Sequence, residues 1–149
     1  MRLEGAPDLP IKGWLSGEGE GRLSTILLVE DTIANRALVV KLLKAAGHEV
    51  IEASDGPAGI LEAQTMRPDL VLMDLSLPGM DGWEALRRLR ADGRTRDLRI
   101  VALTAHAMAG TRDEALAAGF DGYLSKPIDA LTFAETISRF VRRSADEHT

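Results

Sequence analysis

The feature that most constrains this chain is an alternation. Five short apolar runs, TILLV at 25–29, HEVIEA at 48–53, DLVLM at 69–73, LRIVAL at 98–103 and DGYL at 121–124, are separated by segments with helical spacing. Continuous apolar runs bounded by turn signals are what strands buried on both faces of a parallel sheet look like. Between them, Leu38, Val39, Leu42, Leu43 and Ala46 fall on one helical face before Gly47, and Pro57 opens a helix to Met66 that Pro68 ends. Trp83, Leu86 and Leu89 repeat at helical spacing, with Arg87, Arg88 and Arg90 assigned to the outward face. An Ala-rich helix is expected over 106–118, interrupted by Gly110 and stopped by Gly119. Asp129 should cap a last helix with Phe133, Ile137, Phe140 and Val141 on its apolar face. Strict alternation implies a doubly wound α/β domain, five parallel strands with helices on both faces.

Bulk properties exclude several classes. A chain of 149 residues can bury a core without staples, and a net charge of −5 disfavours nucleic acid or an anionic membrane as main partner. The six arginines between Arg87 and Arg99 are then read as a solvated helix face and loop. Without cysteine there is no disulfide framework and no thiolate metal site, and His48, His106 and His148 lack metal-like spacing. No apolar run approaches a membrane span and no secretory signal is visible, so a cytoplasmic protein is expected. Residues 1–22, with five glycines and two prolines, read as a flexible arm on which Trp14 and Leu15 are surface anchors at most. Residues 23–144 form the expected domain, and 145–149 a short tail.

The polar residues concentrate at strand ends. In open parallel sheets, ligands bind beyond the carboxyl ends of the strands, near the point where strand order reverses. Strand one ends in Glu30-Asp31, strand two in Ser54-Asp55, strand three in Asp74, strand four in Thr104, and strand five runs into Lys126-Pro127. If strands one and three are neighbours, three carboxylates converge, a hydroxyl and an ammonium facing them. Clustered like charges raise one another's pKa, and a hard divalent cation relieves the repulsion. Mg²⁺, which favours a few carboxylates and a phosphate oxygen, suits such a site; Mn²⁺ is the alternative. Asp74, delivered by an apolar strand and followed by the Leu77-Pro78-Gly79 turn, can then use one oxygen on metal and the other as a nucleophile towards phosphorus.

The segments "ILLVED", "VLMDLSLPGMDG", "VALTA" and "YLSKP", in this order over about 120 residues, resemble the receiver domain of bacterial two-component response regulators. "EDTIANR", including Asn35, is similar to receivers attached to histidine kinases. The resemblance implies strand order 2-1-3-4-5 and Asp74 as phosphoacceptor. It implies Asp31, Asp74 and the Ser76 carbonyl as Mg²⁺ ligands, with Glu30 acting through water. Thr104 and Lys126 would bind the phosphoryl group, Ala105 would leave room beside it, and Tyr123 would swing inward on phosphorylation. Ser76 and His106 occupy positions that influence phosphoryl lifetime, and the Lys126-Pro127 peptide is expected to be cis. The phosphodonor would be a histidine kinase or a histidine phosphotransfer protein. The output would run through the face of helix 4, strand 5 and helix 5, to an effector protein or a second copy of the chain. Such a domain is a switch with only self-phosphorylation and slow self-dephosphorylation.

Two other classes compete. An aspartate-nucleophile phosphohydrolase of the haloacid-dehalogenase kind expects a second Asp two residues after the nucleophile, where Ser76 stands. A flavin or nucleotide module needs a Gly- or Ser/Thr-rich phosphate loop after strand one, where "VEDTIAN" supplies carboxylates.

Overall fold

The computed structural model describes residues 24–105, 108–126 and 129–147, with side chains to Val141. The arm at 1–22, His106, His148 and the Lys126-Pro127 peptide lie outside what is described. The ten elements alternate: β1 (Thr25–Val29), α1 (Ile33–Ala45), β2 (Glu49–Ala53), α2 (Gly56–Met66), β3 (Leu70–Asp74), α3 (Gly82–Ala91), β4 (Ile100–Thr104), α4 (Thr111–Ala118), β5 (Gly122–Ser125) and α5 (Ala130–Glu147). All pairings are parallel, in the order β2-β1-β3-β4-β5. The chain therefore reverses its direction of growth at β1, between β2 and β3.

Burial explains why the apolar runs are strands. Every residue of β3 and β4 is buried, and β1 is buried from Ile26 onward. Ile26, Leu28, Leu70, Leu72, Val101 and Leu103 point to the face covered by α1 and α5, where they meet Val39, Leu43, Phe133 and Ile137. Leu27, Val29, Val71, Met73, Ile100 and Ala102 point to the other face, against Ala63 of α2, Ala85, Leu86 and Leu89 of α3, and Ala115 of α4. Each fully buried Leu or Ile contributes about 1.5–3 kcal/mol through removal of apolar surface from water. Trp83 and Phe120 close the second layer edge to face, with ring centroids 5.7 Å apart.

The helix ends follow local chemistry. Asp55 and Asp81 accept backbone N–H bonds from Ala58 and Glu84, capping α2 and α3. The Asp129 carboxylate accepts from the Leu131 amide at the start of α5. Gly119 ends α4 with a left-handed backbone, φ 119°.

Four expectations need correction. Gly110 begins α4 rather than interrupting it: its φ of 89° is incompatible with a right-handed helix, so the described helix starts at Thr111. β4 runs over 100–104 rather than 98–103, with Thr104 inside the ladder, paired with Ser125. On α1 the buried positions are Val39 and Leu43, while Leu38 and Ala46 are exposed. Arg90 and Arg99 do not belong to a solvated face. Arg99 is 7% exposed, and the Arg90 guanidinium turns back past the end of α3 onto the carbonyls of Arg96, Leu98 and Gly119. α5 runs to Glu147.

Candidate functional site

The register of the sheet assembles the site. Val29 is level with Met73, Asp74 with Leu103, and Thr104 with Ser125. The residues that follow, Glu30-Asp31 on one side and Lys126 on the other, therefore flank Asp74 and Thr104 at one rim. Glu30, Asp31 and Asp74 each bring a carboxylate oxygen to within 4.8 Å of the other two, close enough for one cation to be held by all three. Glu30 is fully buried, Asp74 is 4% exposed, and Asp31 faces solvent, so the cluster has a closed floor and an open mouth.

Lys126 is the only described cation paired within this cluster: Nζ lies 2.6 Å from Glu30 Oε1 and 3.0 Å from Asp74 Oδ2. Burial works against its ammonium. The Glu30 and Asp74 carboxylates outweigh that burial, so its pKa is raised above the ordinary lysine value and it stays charged. Its backbone is fixed too, because Lys126 N–H donates to the Thr104 carbonyl at 2.7 Å. Asp74 is held at both oxygens: Oδ1 accepts from the Ser76 amide at 2.8 Å, Oδ2 from Lys126. Ser76 itself is exposed at the start of the turn after β3.

With three carboxylates and one ammonium the cluster retains two negative charges. Among the described residues no hydrogen bond reaches the Asp31 carboxylate. Oxygen-only donors, excess negative charge and one solvent-facing side fit a hard divalent cation. Among the described residues no histidine takes part, so the donor set does not suit zinc.

Two contributors escape a reading by residue type. Gly82 opens α3 directly on the Asp74-Leu75 backbone, donating N–H to the Leu75 carbonyl at 3.2 Å. A Cβ there would stand 2.4 Å from the Asp74 carbonyl oxygen, so a side chain at 82 would push the Asp74 strand tip out of place. Arg36, one turn into α1, donates from Nη1 to the Glu30 carbonyl at 2.8 Å. Of the other strand ends, Asp55 is consumed as the α2 cap. Thr104 is buried at the β4 tip. Tyr123, half-buried on β5, packs on the α2–α4 side and borders a cleft of about 370 Å³. That cleft lies between α4 and α5 and is also lined by Arg112, Asp129, Thr132, Phe133 and Thr136.

A five-stranded parallel sheet with an acidic cluster at its switch point and a lysine across from it places the chain among doubly wound α/β proteins with a polar site at the strand ends. The comparisons narrow the class. The response regulator receiver domain family matches residues 26–138, and the chain belongs to it. It is 36% identical over 117 residues to the polar-differentiation response regulator DivK of Brucella anthropi, covering 78% of this chain and 95% of DivK. It is 42% identical over 122 residues to the sensor protein GacS of Pseudomonas syringae, covering 80% of this chain but only 14% of GacS. Among solved structures, the receiver domain of sensor histidine kinase PA1611 from Pseudomonas aeruginosa, with a magnesium ion coordinated in its active-site cleft, superimposes with a TM-score of 0.74 at 36% identity, covering 80% of this chain and 98% of that one. Chemotaxis protein CheY4 of Vibrio cholerae does so with a TM-score of 0.74 at 31% identity, covering 80% and 99%. The chain is thus a receiver domain of the response regulator family, a module of phosphorylation-dependent signalling. Among the described residues no helix is long and apolar enough to cross a membrane.

Proposed function

We propose that this receiver accepts a phosphoryl group on Asp74 from the phosphohistidine of a histidine kinase or a histidine phosphotransfer protein. The observation that carries the reading is the convergence of Glu30, Asp31 and Asp74 around one cation-sized space, with Lys126 bridging two of them. In the transfer, an Asp74 carboxylate oxygen forms a bond to phosphorus. The P–N bond breaks and its electron pair returns to the imidazole nitrogen. Asp31, Asp74 and the Ser76 carbonyl would hold Mg²⁺ or Mn²⁺ directly, with Glu30 acting through water. The cation, when bound, supplies neutralisation of the phosphoryl oxygens.

The chain's own groups do the rest. Lys126 exchanges part of its pairing with Asp74 for a phosphoryl oxygen, and Thr104 donates its hydroxyl to another. Slow hydrolysis, in which water attacks phosphorus and releases inorganic phosphate, restores the carboxylate and resets the switch. Ser76 and His106 tune that lifetime.

Movement of Thr104 towards the phosphoryl group lets the Tyr123 ring turn inward and remodels the cleft between α4 and α5. An effector protein or a second copy of this chain then reads that face. We assign this activity to residues 23–144, acting in the cytoplasm, with no nucleic acid or membrane partner.

The test is phosphorylation by acetyl phosphate in Mg²⁺, followed by intact mass and peptide mapping. A single phosphoryl group should form on the wild type and none on Asp74→Asn. Full labelling of Asp74→Asn at another residue would overturn the assignment.

A further inference from the structure

Asp31 and Glu30 are neighbours in sequence but are held very differently. Every polar atom of Glu30 has a partner. Its N–H donates to the Ala53 carbonyl at 3.0 Å, and Oε2 accepts from the Thr32 amide at 3.1 Å. Oε1 pairs with Lys126, and its carbonyl accepts from Arg36 Nη1 at 2.8 Å. The Asp31 carboxylate has no such partner among the described residues and faces solvent. Its direction therefore depends on the backbone that carries it, above all on the Glu30–Asp31 peptide plane. The carbonyl of that plane is the one held by Arg36.

Arg36 is itself anchored at a second point. Its Nε lies 3.3 Å from Glu52 Oε1 on the edge strand β2, and its side chain is only 20% exposed. Glu52 precedes Ala53, the residue that receives the Glu30 N–H. The result is a closed circuit: Glu30 N–H to β2, β2 through Glu52 to Arg36, and Arg36 back to the Glu30 carbonyl. Arginine suits this task because its fork satisfies two acceptors in fixed directions, which an ammonium on a flexible stem does not.

We infer that Arg36 is a positioning residue of the cation site. It fixes the Glu30–Asp31 peptide, aims the Asp31 carboxylate, and through Glu52 makes the edge strand β2 part of the support. The inference rests on the reading of Glu30, Asp31 and Asp74 as a cation site. Its sign is opposite to that of simple electrostatics. Removing a positive charge near three carboxylates should by itself strengthen divalent-cation binding, whereas losing the clamp weakens it. Hydrogen-bond partners that orient ligand groups typically change metal affinity by about tenfold or more when removed.

The experiment is calorimetric titration of the full chain with Mg²⁺ alone, together with amide exchange of residues 31 and 32 in metal-free protein. Arg36→Met, which keeps the packed stem, should weaken Mg²⁺ binding about tenfold and speed exchange at both amides; Arg36→Lys should fall between it and the wild type. Glu52→Gln, at a half-exposed position, should give a smaller loss of the same kind, about twofold, and is the deciding variant if Arg36→Met does not fold. Unchanged or tighter Mg²⁺ binding in Arg36→Met would overturn the inference, as would a lowered melting temperature with affinity and exchange untouched. If Glu52→Gln has to decide, wild-type affinity and wild-type exchange overturn it equally. Asp31→Asn is the control: if it binds Mg²⁺ like the wild type, the cation site itself is misassigned, a failure distinct from that of Arg36.

Discussion

Charge is held at both ends of the sheet, in opposite ways. At the amino ends of β4 and β5, the Arg90 guanidinium donates to the carbonyls of Arg96 and Leu98 at 2.7 Å and of Gly119 at 2.8 Å, and to Asp121 at 2.9 Å. Asp121 also accepts from the Ile100 amide. Arg90 and Asp121 each find partners on neighbouring segments, and the result ties the end of α3, the approach to β4 and the α4–β5 connection together. At the carboxyl ends of β1 and β3, two of three clustered carboxylates share one lysine, and Asp31 has no described partner. The first arrangement closes on itself. The second is left incomplete, and the proposed uptake of a cation and a phosphoryl group rests on that incompleteness. Structural charge is consumed locally; functional charge is left over.

The contrast can be broken first at the clamp. Arg90→Ala strips donors from three carbonyls and one carboxylate, so it should destabilise the fold by roughly 2–3 kcal/mol in urea titration. Its folded fraction should still be phosphorylated at Asp74. Stability within about 0.5 kcal/mol of wild type would show that the clamp is decoration.

A smaller effect sharpens the same rule at His48, which enters β2 at the same amino end of the sheet but on its opposite edge. Its Nε2 is buried with no described hydrogen-bond partner, and burial lowers its pKa, with the Asp69 carboxylate only partly opposing. A group that folds with a lowered pKa contributes stability above its unfolded value, near 6.5, and that stability is lost as pH falls through the lower folded value. Melting should therefore decline below about pH 6.5 by less than about 1 kcal/mol, the ring being partly solvated. His48→Gln should flatten that stretch of the profile. A decline of the same size in His48→Gln would show that other groups titrate there.

Much of the site was legible because its chemistry sits where polarity breaks an apolar run. Glu30-Asp31, Asp74, Thr104 and Lys126 all mark strand ends, and a parallel sheet turns strand ends into one rim. What sequence spacing missed has identifiable causes. Strand edges slipped by a residue or two because the polar Asp74 and Thr104 remain within the ladder, where hydropathy alone would end the strand. Arg90 was assigned to the solvent face because helical periodicity fixes where a side chain leaves the helix. It does not fix where a long side chain ends at the helix terminus. Gly82 matters for a close backbone approach and Arg36 for a backbone carbonyl, and neither leaves a pattern in residue type. Gly110 carried a readable signal, but only its positive φ distinguishes a helix start from an interruption.

The leftover charge at the β1 and β3 tips is tested most directly by thermal or urea stability with and without Mg²⁺, in the wild type and in Asp31→Asn. In metal-free buffer Asp31→Asn should be at least as stable as the wild type, because it removes a like charge that lacks a partner. Mg²⁺ at about a hundred times its dissociation constant should stabilise the wild type by about 2.7 kcal/mol and leave Asp31→Asn nearly unchanged. Were Asp31→Asn less stable without metal, and still stabilised by Mg²⁺ as much as the wild type, the cluster would be a finished structural network and not a cation site.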